Sequence, residues 1–212
     1  MKFDSRSLLL YAVTDRTWLN GRSLCEVVRD AIIGGATFIQ LREKNLGYEA
    51  FKYQAIEIKR LCNEFNVPFV INDNVMLAKE INADGVHVGQ DDMRASDVKN
   101  IIGHDKILGV SVRTPEEAVI AESNGADYLG AGAVFHTGSK NDAVDITHDT
   151  LREICRAVKI PVVAIGGINA ENICELSGSG IKGVAVISAI FAAEDIRAAA
   201  IQLKGRALYV CA

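Results

Sequence analysis

The chain has 212 residues, 49% hydrophobic and 24% charged, with three prolines, which supplies enough apolar material for one sizeable core and none of the composition of a disordered chain. Its formal charge of −4 excludes the general cationic footprint that holds nucleic acid or anionic membranes, so any phosphate binding must be local. No apolar run reaches the roughly 18 to 20 residues that span a bilayer, and the opening MKFDSRSLLLYAVTD lacks a signal-peptide core and cleavage site, so a cytoplasmic protein is expected.

Short β-branched or apolar runs alternate with stretches of helical period along the whole chain. The first run, Leu8 to Asp15, leads into Ser23 to Ala36, where Leu24, Val27, Val28, Ala31 and Ile32 mark one helical face. A second strand over Phe38 to Lys44 precedes a helix from about Tyr48 to Asn66, and Pro68 opens the third strand, PFVIND. A helix over Asn74 to Asn82, a strand over Gly85 to Gln90 and a helix over Arg94 to Ile102 close the first half.

The second half repeats the scheme. Lys106 to Val112 forms strand five, after which Thr114 as N-cap, Pro115 at N1 and Glu117 at N3 announce a helix. Strand six, Tyr128 to Val134, is followed by a polar loop and a helix over Asp149 to Lys159. Pro161 opens strand seven, NAENICELSGSG is a short helix, VAVIS is strand eight, and an Ala-rich helix ends the chain. Eight such units without a linker fit a single-domain α/β fold over residues 1–212, a (β/α)8 TIM barrel. The polar residues collect after the strands all round the chain, as a barrel mouth requires; an open sheet would concentrate them at one switch point. Five scattered cysteines without a CxxC pair point to reduced thiols, with Cys211 expected to fray.

Asp73 and Asp92 end neighbouring strands about 4.8 Å apart, so their carboxylates either converge on a hard cation such as Mg²⁺ or cap the helices that follow; Asp91 is an alternative to Asp92. Period two places Gln40, Arg42 and Lys44 on one side of strand two and Leu41 on the other. The two cations either bind an anion or pair with a neighbour such as Glu43. Gly138, Ser139 and Lys140 form either a phosphate-directed loop or a plain polar one. Gly166 and Gly167, with Ile187 and Ser188, end strands seven and eight, the usual phosphate corner of barrels, although the glycines also suit a tight turn. His87 reads as a barrel-layer residue and His136 as an exposed loop residue. No nucleophile and base stand together. Two anion sites with a metal between them instead suit chemistry driven by stabilising a departing polyphosphate.

The ordered series YAVTD, QLREK, INDN, GVHVGQDD, GVS, a TxSK loop followed by ND, AIGGI and VIS resembles the thiamine-phosphate synthase family across nearly the whole chain. The resemblance implies a transferase that condenses an aminopyrimidine diphosphate with a thiazole phosphate, carboxylated or not, and releases pyrophosphate. It implies that Gln40, Leu41, Arg42, Glu43, Lys44, Asn72, Ser111 and Lys140 bind the pyrimidine diphosphate. Thr137, Gly138, Ser139, Gly167, Ile187 and Ser188 would bind the thiazole phosphate, and Asp73 and Asp92 one Mg²⁺ per subunit. Lys140, Arg42 and Ser111 carry the implied catalytic roles. The expected partners are these small molecules, neither nucleic acid nor membrane, with homo-oligomerisation left open. The chain departs from the family's usual PTxTK by reading HTGSK, and from its common GP by Gly132 and Ala133. The hydroxyl is kept at Ser139, and proline's fixed φ is absent at His136. Competing readings are the thiazole tautomerase branch, an aldolase-type lyase with Lys140 or Lys44 as Schiff base, and a non-catalytic thiazole-phosphate sensor.

Overall fold

Eight short strands wind in parallel: β1 (Leu10–Val13), β2 (Phe38–Leu41), β3 (Phe69–Asn72), β4 (Gly85–Val88), β5 (Ile107–Val112), β6 (Tyr128–Ala131), β7 (Val162–Ile165) and β8 (Gly183–Val186). In the computed structural model, which describes residues 3–137 and 145–212, each strand pairs with its sequence neighbours and β8 returns to β1, closing the barrel. Eight α-helices are present among the described residues: α1 (Leu24–Ile33), α2 (Tyr48–Glu64), α3 (Val75–Glu80), α4 (Ala95–Ile102), α5 (Pro115–Ser123), α6 (His148–Ala157), α7 (Ser188–Phe191) and α8 (Ile196–Val210).

The strands stop earlier than the apolar runs suggest. β1, β2 and β4 end at Val13, Leu41 and Val88, so the polar residues after them leave the sheet and build the mouth. After β7 the expected helix is a single 3-10 turn, Ile173–Leu176, and the terminal helical stretch is split into α7 and α8. Local signals hold where they carry a cap. Ser23 and Glu26 exchange a complete capping box at α1, and the Thr114 side chain accepts from the Glu117 N–H at α5.

Strand periodicity sorts the core into two. Outward residues such as Ile39, Leu41, Ile71 and Leu129 pack against the helices in one large cluster. Inward residues, among them Tyr11, Phe38, Val70, Tyr128 and Val163, fill the barrel itself. Cys211 does not fray: it is half-buried against the core, and its N–H donates to the Ala207 carbonyl. All five cysteines are free thiols, and burial raises Cys155 and Cys211 to about 11. Among the described residues no helix is long and apolar enough to cross a membrane.

Candidate active site

A cleft of about 260 Å³ opens at the C-terminal mouth. Ten of the residues to which the resemblance gives a role line it: Arg42, Lys44, Asn72, Asp73, Asp92, Ser111, Thr137, Gly167, Ile187 and Ser188. Gly138, Ser139 and Lys140 lie outside the described residues. Three others stand off the cleft wall. Gln40 points into the barrel and donates to the Tyr11 hydroxyl at 2.6 Å, and Leu41 is fully buried between sheet and helices. Glu43 faces an adjoining groove with Leu46 and Phe51.

The cations are not consumed by their nearest acid. Glu43 Oε1 accepts the main-chain N–H groups of Lys44 and Asn45, and Oε2 stands 3.6 Å from Arg16 Nη1. Arg42 is 7% exposed, and its ion pair among the described residues is Asp15 at 3.7 Å. A guanidinium this shielded, with its carboxylate as far as 3.7 Å, leaves room for a bound anion to pair with it more closely. Its main chain is anchored by donation from Arg42 N–H to Thr14 Oγ1 at 3.0 Å. Lys44 is exposed at the rim.

Neither aspartate serves as a helix cap. Asn74 caps α3 by accepting from the Leu77 N–H, and the residue preceding α4, Arg94, makes no side-chain cap bond. Asp73 adopts a left-handed backbone, φ 60°, its N–H donating to the His87 carbonyl at 2.8 Å, and Asn72 Nδ2 donates to its Oδ2. Asp92 Oδ2 accepts from the Gly89 N–H at 2.7 Å, which ties the loop after β4 to itself, and both residues line the cleft. Asp91 lines the same wall. No group of three or more His, Cys, Asp or Glu is gathered for a metal among the described residues. Asp73 and Asp92 would offer a hard cation such as Mg²⁺ two carboxylates, the number that ion commonly takes beside substrate phosphate oxygens and water, and their donor atoms are of the hard oxygen type it prefers.

The opposite wall is built from main chain. The segment after β6 runs along the end of β7, with Val134 N–H donating to Ile165 O and Phe135 N–H to Gly166 O. Gly166 and Gly167 take φ of 104° and 61°, and a Cβ on Gly167 would lie 2.5 Å from the His136 carbonyl oxygen. These glycines therefore do more than turn the chain; they let two mouth segments touch. α7 begins at exposed Ser188, immediately after the strand-eight end.

Two wall residues escaped the sequence reading. His87, taken as a layer residue, does sit in the barrel layer, yet it also lines the cleft and stands 2.9 Å from Ser111 Oγ through Nε2. Arg113 lines the cleft two residues beyond Ser111; a cation just after strand five was the available signal. Gln90 Nε2 donates to the Ser111 carbonyl and ties the β4 loop to β5.

Residues 10–190 match the family model described as thiamine monophosphate synthase. A protein of Clostridium tetani named thiamine-phosphate synthase is 50% identical over 196 residues, covering 92% of this chain and 94% of the relative. One of the same name from Ruminiclostridium cellulolyticum is 49% identical over 194 residues, with 92% of each chain covered. The solved structure of thiamine phosphate pyrophosphorylase from Pyrococcus furiosus superimposes with a TM-score of 0.90 at 42% identity, covering 98% of this chain and 99% of that one.

Proposed function

The chain belongs to the thiamine monophosphate synthase family, and on that premise we propose that its mouth condenses 4-amino-2-methyl-5-(diphosphooxymethyl)pyrimidine with 4-methyl-5-(2-phosphooxyethyl)thiazole, or with its carboxylated form and concurrent loss of CO₂, to thiamine phosphate and pyrophosphate. The observation that carries this reading is one cleft with two unlike walls: Arg42, Lys44, Asp73 and Asp92 on one side, Gly166, Gly167 and Ser188 on the other. A diphosphate suits the charged wall and a monophosphate the main-chain wall.

In the proposed reaction the methylene carbon–oxygen bond breaks with its electron pair going to pyrophosphate, and the thiazole nitrogen lone pair then forms the new carbon–nitrogen bond. Arg42, Lys44 and Lys140 neutralise charge that grows on the leaving oxygens, which favours the transition state over the bound substrate. One Mg²⁺ held by Asp73 and Asp92 would supply further positive charge to the diphosphate. Asn72 and Ser111 orient the pyrimidine. Gln40 acts from below through its hydrogen bond to Tyr11, Leu41 through its main chain, and Glu43 through its side-chain hold on the Lys44 and Asn45 N–H groups. Thr137, Gly138, Ser139, Gly167, Ile187 and Ser188 hold the thiazole phosphate. Ser111 and His87 stand 2.9 Å apart on the cleft wall, contrary to the expectation that no hydroxyl and base meet, but the proposed reaction uses neither as nucleophile or base, because bond breaking precedes capture.

The test is to mix purified protein with both substrates and Mg²⁺ and follow pyrophosphate and thiamine phosphate together. Equimolar appearance of both, abolished by chelator and by omission of either substrate, is expected. Full turnover in excess chelator would remove the metal, and a borohydride-trapped adduct with a carbonyl substrate would replace the reaction class with a lyase.

A further inference from the structure

Beneath the mouth, five polar side chains join head to tail through the barrel interior. Gln40 Nε2 donates to the Tyr11 hydroxyl, which stands 2.8 Å from the Tyr128 hydroxyl. Tyr128 OH is 2.9 Å from His87 Nδ1, and His87 Nε2 is 2.9 Å from Ser111 Oγ. Tyr11, Tyr128, Gln40 and His87 are at most 8% exposed, whereas Ser111 opens on the cleft.

Polar groups at this depth are costly unless donors and acceptors match along the row. The neighbouring strands are shaped to admit them. A Cβ on Gly109 would lie 2.2 Å from Tyr128 Cζ and 2.4 Å from His87 Nδ1, and one on Gly130 would lie 3.1 Å from His87 Cε1. Two glycines inside adjacent strands thus keep open the space in which the tyrosine meets the histidine.

Proton counting gives the row a direction. Each hydroxyl carries one proton. Tyr11 accepts from Gln40 and so donates onward to Tyr128, which donates to His87 Nδ1. Burial, with the Tyr11 hydroxyl beside it, holds the Tyr128 phenol well above its usual range, so that proton is retained. An imidazole accepting at Nδ1 carries its proton on Nε2 and donates it to Ser111 Oγ, and the serine's own proton is then turned toward the cleft.

We propose that Tyr11, Tyr128 and His87 are positioning residues that present the Ser111 hydroxyl as a hydrogen-bond donor to an acceptor atom of the diphosphate-bearing substrate. The inference rests on the assignment of Ser111 to that substrate in the proposed function.

Two measurements test it. The chain has four histidines, and His87 is the buried one; its ¹⁵N resonances can be assigned by their loss in His87→Gln. In the substrate-free parent protein the row expects a proton on His87 Nε2 and none on Nδ1. A proton on Nδ1, or on both nitrogens, overturns the direction of the row. The second measurement is the KM for the pyrimidine diphosphate in Tyr128→Phe, made in the parent and in a Ser111→Ala background. An increase of about five- to tenfold is expected in the parent and almost none in the second background, with the thiazole-phosphate KM unchanged in both. Equal increments in both backgrounds would make Tyr128 a packing residue only. If the parent protein releases no pyrophosphate from the substrate pair, the functional reading fails, and the tautomer still decides the hydrogen-bond row by itself.

Discussion

The two walls of the mouth are made from the same strand–loop–helix unit, yet they hold opposite chemistry. Around β2 to β5 the loops project side chains: Arg42, Lys44, Asp73, Asp91, Asp92 and Arg113 all face the cleft. Around β6 to β8 the described part of the wall includes Gly132, Ala133, Ile165, Gly166, Gly167 and Ile187, with the uncharged hydroxyls of Thr137 and Ser188 as its polar side chains. Side-chain charge is strong and is tuned by solvent and ion pairing, and it suits a group whose charge changes during reaction. Main-chain donors are fixed in place by the fold and suit a phosphate that is only carried along. The contrast predicts that loss of a charged side chain from the first wall appears in rate and damage to the second wall in substrate affinity.

Lys140 offers the sharpest way to break that division, because it follows β6 in the sequence while its proposed role belongs to the leaving diphosphate. Lys140→Ala should lower kcat by about 10²- to 10³-fold, the usual loss for one donor in an electrostatically assisted reaction. Arginine should restore only part, since its planar fork does not reproduce a compact ammonium. A change confined to KM would return Lys140 to the binding wall.

Next in size is the aspartate pair. Asp92→Asn keeps an oxygen for the Gly89 N–H but removes the charge. It should cost kcat about 30- to 100-fold, the equivalent of roughly 2 to 3 kcal/mol, and more than Asp91→Asn costs. The reverse ranking, read from Mg²⁺ titrations of turnover, would transfer the role to Asp91.

On the main-chain wall, Gly166→Ala forces a side chain onto φ 104° with its Cβ 2.4 Å from that of Ala133. A loss of about 2 kcal/mol in urea unfolding is expected, accompanied by a raised thiazole-phosphate KM. Unchanged stability would show that the two mouth segments separate at little cost.

The smallest effect concerns the row below both walls. Burial raises the phenols of Tyr11 and Tyr128 above their ordinary value near 10. Their folded-state contribution is therefore complete below the unfolded pKa and is lost as pH rises through the folded one, because the unfolded chain releases protons that the folded chain retains. Stability should fall above pH 10 by up to about 1.4 kcal/mol per pH unit for each tyrosine, and Tyr128→Phe should remove its share of that slope.

Much of this was legible in the sequence where the information is local. Alternation of period two placed Gln40 and Arg42 on one side and Leu41 on the other, and Thr114, Pro115 and Glu117 marked the start of α5. The polar residues at strand ends marked the mouth. What was not legible depends on partners distant in sequence or on the path of the main chain. Tyr11 and Tyr128 meet across 117 positions, so His87 read as a layer residue whose connection to Ser111 had no local mark. Asp73 and Asn74 are both good caps by composition, and only the left-handed turn at Asp73 decides that Asn74 takes the cap and Asp73 turns to the cleft. The glycines after β7 signalled a turn, whereas their closest constraint is the neighbouring segment after β6.

The division of the mouth is tested most directly by crossing one variant from each wall with both substrates in the pyrophosphate-release assay. Asp73→Asn should depress kcat with little effect on the thiazole-phosphate KM, and Ser188→Ala should raise the thiazole-phosphate KM about five- to tenfold with the pyrimidine-diphosphate KM and kcat nearly unchanged. Ser188→Ala raising both KM values equally, or Asp73→Asn acting on the thiazole alone, would contradict the assignment of one wall to each substrate.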